Sequence, residues 1–377
     1  PRVVAHLQGE VDRPDASIEA LAERWSIPQG IKTGADAFTK RIKQRLELEF
    51  PEASRQFDSL KPEVGDPIME LPAGTEHEAP WSTYPEALAR SMEPGAILYG
   101  AVDAQAYTSL VWLFHGDRPS AEILAALEPW KPVLANRFDV LSNPAMDWWE
   151  TVRPRDREQF CGPKVIALYR TDRGRFAVDE DGSWQPSIKA TLVTPLNDGL
   201  SVAYLGGLLN SELLDLWYSI RGKAPRDVWR NYEPKRMKEI PYRHVDLSIK
   251  IDKKRLGEVK VALKKGDATR VGAVAGGIVA DLRACGSAGL SVGEPVAVEA
   301  AMALEAIARA LADNRRALLL YRDRFPALTR QVKDPWSTES VDPTPRAFVE
   351  ALPKKKRVSV RVDPDLAATI ETDGVLN

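Results

Sequence analysis

Cysteine and histidine are scarce in this chain. Its two cysteines, Cys161 and Cys285, lie far apart, and its four histidines (His6, His77, His115, His244) fall at no metal-ligand spacing. Neither a disulfide framework nor a zinc site is expected from that pattern, and a reducing compartment is. Long apolar runs are missing too. No stretch approaches the roughly 18 apolar residues of a membrane-spanning helix, so no membrane partner is expected. No secretory leader is visible, and the first residue is Pro1 rather than methionine, as expected of a processed N-terminus or of a piece of something longer. A strong charge of one sign is likewise absent: 52 Lys and Arg against 54 Asp and Glu give a formal net charge of -2. Screening confines each charge to about 8 Å at physiological salt, so a polyanion partner would have to be met by local clusters of positive charge.

What is present fits a soluble globular protein. Of the 377 residues, 44% are hydrophobic and 28% charged, enough for two domains or for one large domain with an extension. Residues 15–27 read as a short helix leading into Leu21 and Trp25, and Gly30-Ile31-Lys32-Thr33-Gly34 as a turn. Residues 36–50 form an amphipathic stretch with Lys40, Arg41, Lys43 and Arg45 on its wet face. Prolines 62, 67, 72 and 80 make residues 60–82 extended or looped. Residues 85–93 and 119–135 look helical, with Val111–Phe114 as a strand between them. From Lys164 the period changes. Strands over 164–170 and 175–178, a turn at Asp179–Gly182, and a third strand over 188–193 predict an antiparallel meander. Helical period returns over 201–221, a basic loop follows, and a short helix is expected near Pro234–Glu239. The stretch 250–293, rich in Ala, Gly and Val, fits no period. Residues 296–325 read as one long helix, about 45 Å at 1.5 Å per residue, with Leu304, Ile307, Leu311, Leu318, Tyr321 and Phe325 along a seam that packs on the chain's own body or on a partner helix.

Four segments, taken in order, resemble the target-recognition half of the TaqI-like and type IIG DNA adenine-N6 methyltransferases. The first is Gly30-Ile31-Lys32-Thr33-Gly34-Ala35-Asp36-Ala37-Phe38. The second runs from Leu134-Ala135-Asn136-Arg137 through Trp148-Trp149-Glu150 to Arg153-Pro154-Arg155-Asp156. The third is Pro163-Lys164-Val165-Ile166 through Phe176-Ala177-Val178-Asp179. The fourth is Tyr204-Leu205-Gly206-Gly207-Leu208-Leu209-Asn210-Ser211, followed by Lys235-Arg236-Met237-Lys238-Glu239-Ile240-Pro241. The resemblance implies an α+β fold: a small antiparallel sheet flanked by helices, plus a C-terminal helical extension. It also implies boundaries. Residues 1–29 would be the remnant of a linker from a catalytic domain, 30–245 the recognition domain, 250–330 the helical extension and 331–377 a loosely ordered tail. A methyltransferase of this family needs a glycine-rich turn after its first strand, to approach S-adenosylmethionine closely, and an Asn/Asp-Pro-Pro-aromatic motif, to hold and stack the flipped adenine. Asn143-Pro144-Ala145-Met146, Asp334-Pro335-Trp336-Ser337 and Gly272-Ala273-Val274-Ala275-Gly276-Gly277 each fall short of those patterns. No cofactor is therefore expected in this chain, and S-adenosylmethionine belongs to a catalytic domain supplied elsewhere.

The partners implied are double-stranded DNA and that methyltransferase catalytic domain, on the same polypeptide or another, in the cytoplasm of a cell with a restriction-modification or phage-defence system. A separate specificity subunit and a non-catalytic adaptor remain as alternatives. Duplex reading takes cations on phosphates and side chains on base edges. Segment 219–243 supplies Arg221, Lys223, Arg226, Arg230 and Lys235, together with Arg236, Lys238 and Arg243, against only Asp227, Glu233 and Glu239. Either it follows the phosphate backbone or it is a solvated helix–loop surface. Arg170, Arg173 and Arg175 around Gly174 are candidate guanine readers or simply surface charge. Lys32 and Thr33 could donate to a phosphate or belong to a domain-joining turn. Trp148, Trp149 and Trp217 read as core.

Overall fold

A computed structural model describes residues 18–58, 60–92, 94–98, 100–152, 157–171, 174–221, 230–287 and 294–324. Eleven short strands run in chain order: β1 Ile18–Ala20, β2 Trp25–Ser26, β3 Glu70–Leu71, β4 Leu88–Met92, β5 Tyr107–Val111, β6 Lys164–Leu168, β7 Arg170–Thr171, β8 Phe176–Asp179, β9 Ala190–Pro195, β10 Arg230–Asn231 and β11 Pro241–Arg243. The longer helices are α1 Lys40–Glu49, α2 Pro51–Asp58, α3 Ala121–Leu127, α4 Val202–Leu209, α5 Glu212–Arg221, α6 Lys254–Lys264, α7 Ala268–Ser287 and α8 Glu294–Arg324. Three of them start on a side-chain cap: Thr39, Ser120 and Ser201 accept from the backbone N–H of Ile42, Ile123 and Tyr204.

The arrangement is α+β, with small antiparallel sheets flanked by helices. A four-stranded sheet, in the order β2-β9-β6-β8, lies against a three-stranded one, β3-β5-β4. Alternation along the strands divides the apolar side chains between faces. Val165, Ala167, Phe176, Val178 and Val193 meet Leu205 and Leu209 of α4 and Ala301 of α8. Ile166, Ala177 and Leu192 point the other way and share a core with Ala89 and Leu110 of the second sheet. The outer face of that sheet, through Val111, packs on Leu46, Phe57, Ile123 and Leu127 of α1–α3. A smaller core joins α6, α7 and α8 through Leu256, Val259, Ile278 and Ala303.

Several expectations are corrected. Residues 18–20 and 25–26 are strands rather than helix, because each finds a distant edge: β1 on β11 and β2 on β9. Residues 88–92 are a strand paired along all of β5, with only a 3-10 turn at Pro85–Ala87 before it. The expected meander is not sequential. β6 lies between β8 and β9, since the chain after β8 crosses back through residues 180–189 to pair with the far side of β6. The 201–221 helix breaks at Asn210, whose amide bonds the β8 backbone at Phe176 in both directions, donating at 2.8 Å and accepting at 3.1 Å. Stretch 250–293, which fits no period, holds α6 and α7. The seam on α8 is split: Leu304 packs toward α4 and Ile307 toward α6 and α7, while Leu311 is exposed and Phe325 lies outside the described residues. Among the described residues no helix is long and apolar enough to cross a membrane.

Candidate nucleic-acid interface

The first two family-like segments meet inside the molecule. Gly30 and Ile31 run beside Pro186–Ala190, donating to the carbonyls of Ala190 and Pro186 at 2.9 Å each. A Cβ on Gly30 would lie 2.0 Å from the Ser187 carbonyl oxygen, so only glycine permits this approach. The Thr33 side chain is buried; its hydroxyl bonds Asp36 and accepts from the Ala35 N–H at 3.1 Å. Lys32 is half-buried and paired with Asp139 at 3.0 Å. Beneath this turn lies Arg137, 4% exposed. Its guanidinium donates to the carbonyls of Thr33, Leu134 (2.9 Å), Trp148 (2.6 Å) and Glu150 (2.8 Å). Burial pushes its pKa down to about 10, which leaves it charged at neutral pH. Trp149 is core beside it, while Trp148 is half-buried under the Lys131 ammonium.

The third segment is closed by a buried ion pair. Lys164 and Asp179 face each other in register on β6 and β8, 2.7 Å apart and 0% and 1% exposed. Lys164 also donates to the carbonyls of Phe160 and Gly162, and Asp179 accepts from the N–H groups of Ser183 and Trp184. Burial lowers the Lys164 pKa and raises that of Asp179, and their mutual attraction opposes both shifts.

The basic residues gather elsewhere. Past Leu168 the chain continues through Tyr169 into β7, which pairs antiparallel with β10: Arg170 stands opposite Asn231, and Arg230 opposite Thr171. Two basic segments some 60 residues apart in sequence thus form one edge. An aromatic anchor holds that edge to the core. Tyr232 donates its N–H to the Tyr169 carbonyl at 2.8 Å and stacks on Tyr218 with ring centroids 4.2 Å apart, and the Tyr218 hydroxyl bonds the Asn231 carbonyl. Gly174 fits tightly beneath: a Cβ there would meet the Tyr232 hydroxyl at 2.9 Å. Arg170 and Lys235 are exposed, and Arg175 is half-buried. Lys235 sits on the short helix Pro234–Met237 directly after this edge; the preceding Glu233 accepts from the Tyr169 hydroxyl at 3.4 Å. Arg221 ends α5, whereas Arg173, Lys223 and Arg226 lie outside the described residues. Of the sequence candidates, Arg170 is brought by strand pairing beside the backbone of the Arg230–Lys235 segment, with Arg170 and Arg230 at alternate positions of the two-stranded ribbon, while Lys32 and Thr33 lie apart at the turn above Arg137.

Gly272, Gly276 and Gly277 lie within α7 with open space where a Cβ would stand, not at a turn between strand and helix. Asn143-Pro144 follows a short helix, Phe138–Ser142, and Asp334–Ser337 lies outside the described residues. Two polar groups escape a reading of the sequence, Arg90 and Glu76; neither falls in a charge run or a recognisable motif.

No protein-family profile matches the chain, and no curated protein matches its sequence. Two of the solved structures that resemble it are restriction-modification enzymes. One is the type IIG restriction endonuclease BpuSI, with a TM-score of 0.36 and 11% identity over 82% of this chain and 33% of that one. The other is the type IIL restriction-modification enzyme MmeI, solved in complex with DNA, with a TM-score of 0.32 and 12% identity over 80% of this chain and 36% of that one. The chain spans about a third of the length of each. At this level of superposition neither neighbour assigns a role to any residue here.

Proposed function

We propose that this chain recognises a specific sequence in double-stranded DNA, on behalf of an adenine-N6 methyltransferase of a restriction-modification system whose catalytic domain lies outside these residues. The observation that carries the reading is the pairing of β7 with β10, which sets exposed Arg170 beside the segment that leads from Arg230 to exposed Lys235, in a chain of net charge -2. The four family-like segments support it from the sequence side. In this reading Arg230, Lys235, Arg221, Lys223 and Arg226 meet phosphates. Arg170, Arg173 and Arg175 reach base edges, where an arginine can bridge guanine O6 and N7. Lys32 reaches DNA only by leaving Asp139, and Thr33 acts through the turn. S-adenosylmethionine is bound by the catalytic domain, on the same or a separate chain. The alternative of an adaptor working through the α8 seam is disfavoured, because Leu304 and Ile307 are already packed against the chain's own helices.

The test is a gel-shift titration of duplex oligonucleotides across salt concentrations. Binding that weakens steeply with salt is expected, and replacement of Arg221, Lys223 and Arg226 by alanine should weaken binding to all duplexes alike. Changing Arg173 or Arg175 should alter the preferred site, by roughly 1–3 kcal/mol for each guanine no longer bridged. A folded sample that ignores duplex DNA even at low salt, alone and with its catalytic domain, overturns the reading.

A further inference from the structure

At the margin of the core between the two sheets, one tyrosine holds two opposite charges. The Arg90 side chain is exposed, yet it is not loose. Its guanidinium lies 4.4 Å from the ring centroid of Tyr107 and 4.6 Å from that of Trp184, and one Nη donates to the Ala104 carbonyl. No ion-pair partner of Arg90 is found among the described residues. With two aromatic rings against it and one N–H group taken by Ala104, Arg90 keeps further N–H groups for a planar acceptor.

The same Tyr107 positions Glu76. Its hydroxyl donates to Glu76 Oε1 at 2.5 Å, while Ser109 Oγ (2.6 Å) and the Gly74 N–H (3.1 Å) donate to Oε2. The remaining side of Oε1 faces the exposed His77 ring, whose Nε2 lies 3.8 Å away, beyond hydrogen-bond distance, so an incoming donor would have to displace that imidazole. Burial acts to raise the Glu76 pKa, but the hydrogen bonds from Ser109 and Tyr107 outweigh it and hold the carboxyl at about 2, against an ordinary 4.5. The carboxyl therefore stays an acceptor throughout the neutral range. Its side chain is 29% exposed. A fixed bidentate donor beside a fixed single acceptor is the complement of a guanine–cytosine pair in the major groove, which offers O6 and N7 acceptors on one base and an N4 donor on the other.

We infer that Arg90 and Glu76, both set by Tyr107, are specificity-determining residues that read one guanine–cytosine pair, Arg90 donating to guanine O6 and N7 and Glu76 accepting from cytosine N4. This rests on the proposed duplex-binding role and assigns it a second contact surface, apart from the β7–β10 edge. Arg90→Lys keeps the positive charge against the rings but loses the two-pronged geometry. Glu76→Ala removes the acceptor.

Selection from a random duplex library by the full chain tests the assignment, with melting curves to verify folding of each variant. The wild type should select a site containing a fixed guanine–cytosine pair. Both variants should lose the preference at that same pair, with affinity for the wild-type site down by about 10- to 100-fold and binding to unrelated duplex unchanged. Variants that select the wild-type site, or that lose preference at two different positions, overturn the inference and leave the proposed function standing. A wild type that binds no duplex overturns both. If Glu76→Ala does not fold, Arg90→Lys alone decides: an unchanged site sinks the assignment.

Discussion

Charged side chains do opposite jobs in two regions of this molecule. Arg137 and the Lys164–Asp179 pair are sealed in the interior, each with its hydrogen-bonding capacity met by backbone groups or by an opposite charge. Arg170 and Lys235 are exposed at and just after the β7–β10 edge. Both kinds lie within the family-like segments: Arg137, Lys164 and Asp179 in the second and third, Arg170 and Lys235 in the third and fourth. What separates them is burial: the interior charges hold strands and turns in place, and the edge charges can change without disturbing that framework.

Four measurements put that contrast at risk. The largest effect is expected for Arg137→Ala, which strands four carbonyls at the junction of Gly30–Gly34 with Leu134–Glu150. Loss of a buried, hydrogen-bonded charge costs about 3–5 kcal/mol, read as a fall in the urea midpoint or as loss of soluble protein. Lys164→Ala should cost about 3–5 kcal/mol for the same reason, since it leaves the buried Asp179 carboxyl without its ion-pair partner. The double variant Lys164→Met, Asp179→Leu should recover most of that loss in the same titration, and failure to recover would show that the pair does more than neutralise itself. Smaller is the pH effect at Glu76. Its folded pKa, about 2, lies below the ordinary 4.5, so its contribution is present above pH 4.5 and is lost as pH falls toward 2. Denaturant midpoints at pH 5 and pH 3 should therefore differ more in the wild type than in Glu76→Gln. The smallest change in stability, within about 0.5 kcal/mol, is expected for Arg170→Ala with Lys235→Ala, although duplex affinity should fall and its salt slope shrink by about one for each cation removed from a phosphate. A large loss of stability here would erase the distinction between framework and edge.

Legibility follows the range of the forces involved. The long helix expected over 296–325 is α8, because thirty residues of unbroken helical composition need no outside help to be read. The strand Lys164–Leu168 is equally plain from its β-branched and apolar run. Leu88–Met92 misleads, since Leu-Ala-Arg-Ser-Met has a helical composition and becomes strand only by pairing with β5. Ile18–Ala20 is decided by a partner more than 200 residues away. α7 is hidden by Gly272, Gly276 and Gly277, which weaken any apolar stripe. For the candidate site, sequence locates the basic segments but not their junction, because strand pairing between Arg170 and Asn231 leaves no local trace. Arg90 and Glu76 are invisible: each is an isolated charge whose geometry depends on Tyr107 and Trp184 from elsewhere in the chain.

The paired glycines of α4 bear on how this polypeptide can be trimmed. A Cβ on Gly206 would lie 2.3 Å from Val178 and one on Gly207 2.9 Å from Leu304, so α4 is wedged bare-backed between sheet and α8, and Arg309 ties α8 to Glu180 at 2.8 Å. A shortened version ending before Glu294 would lay open the seat vacated by Ala301 and Leu304 as a strip of wet hydrocarbon. Such a fragment should clump where the longer version stays dispersed, so the minimal folded unit extends past the β7–β10 edge into that helix.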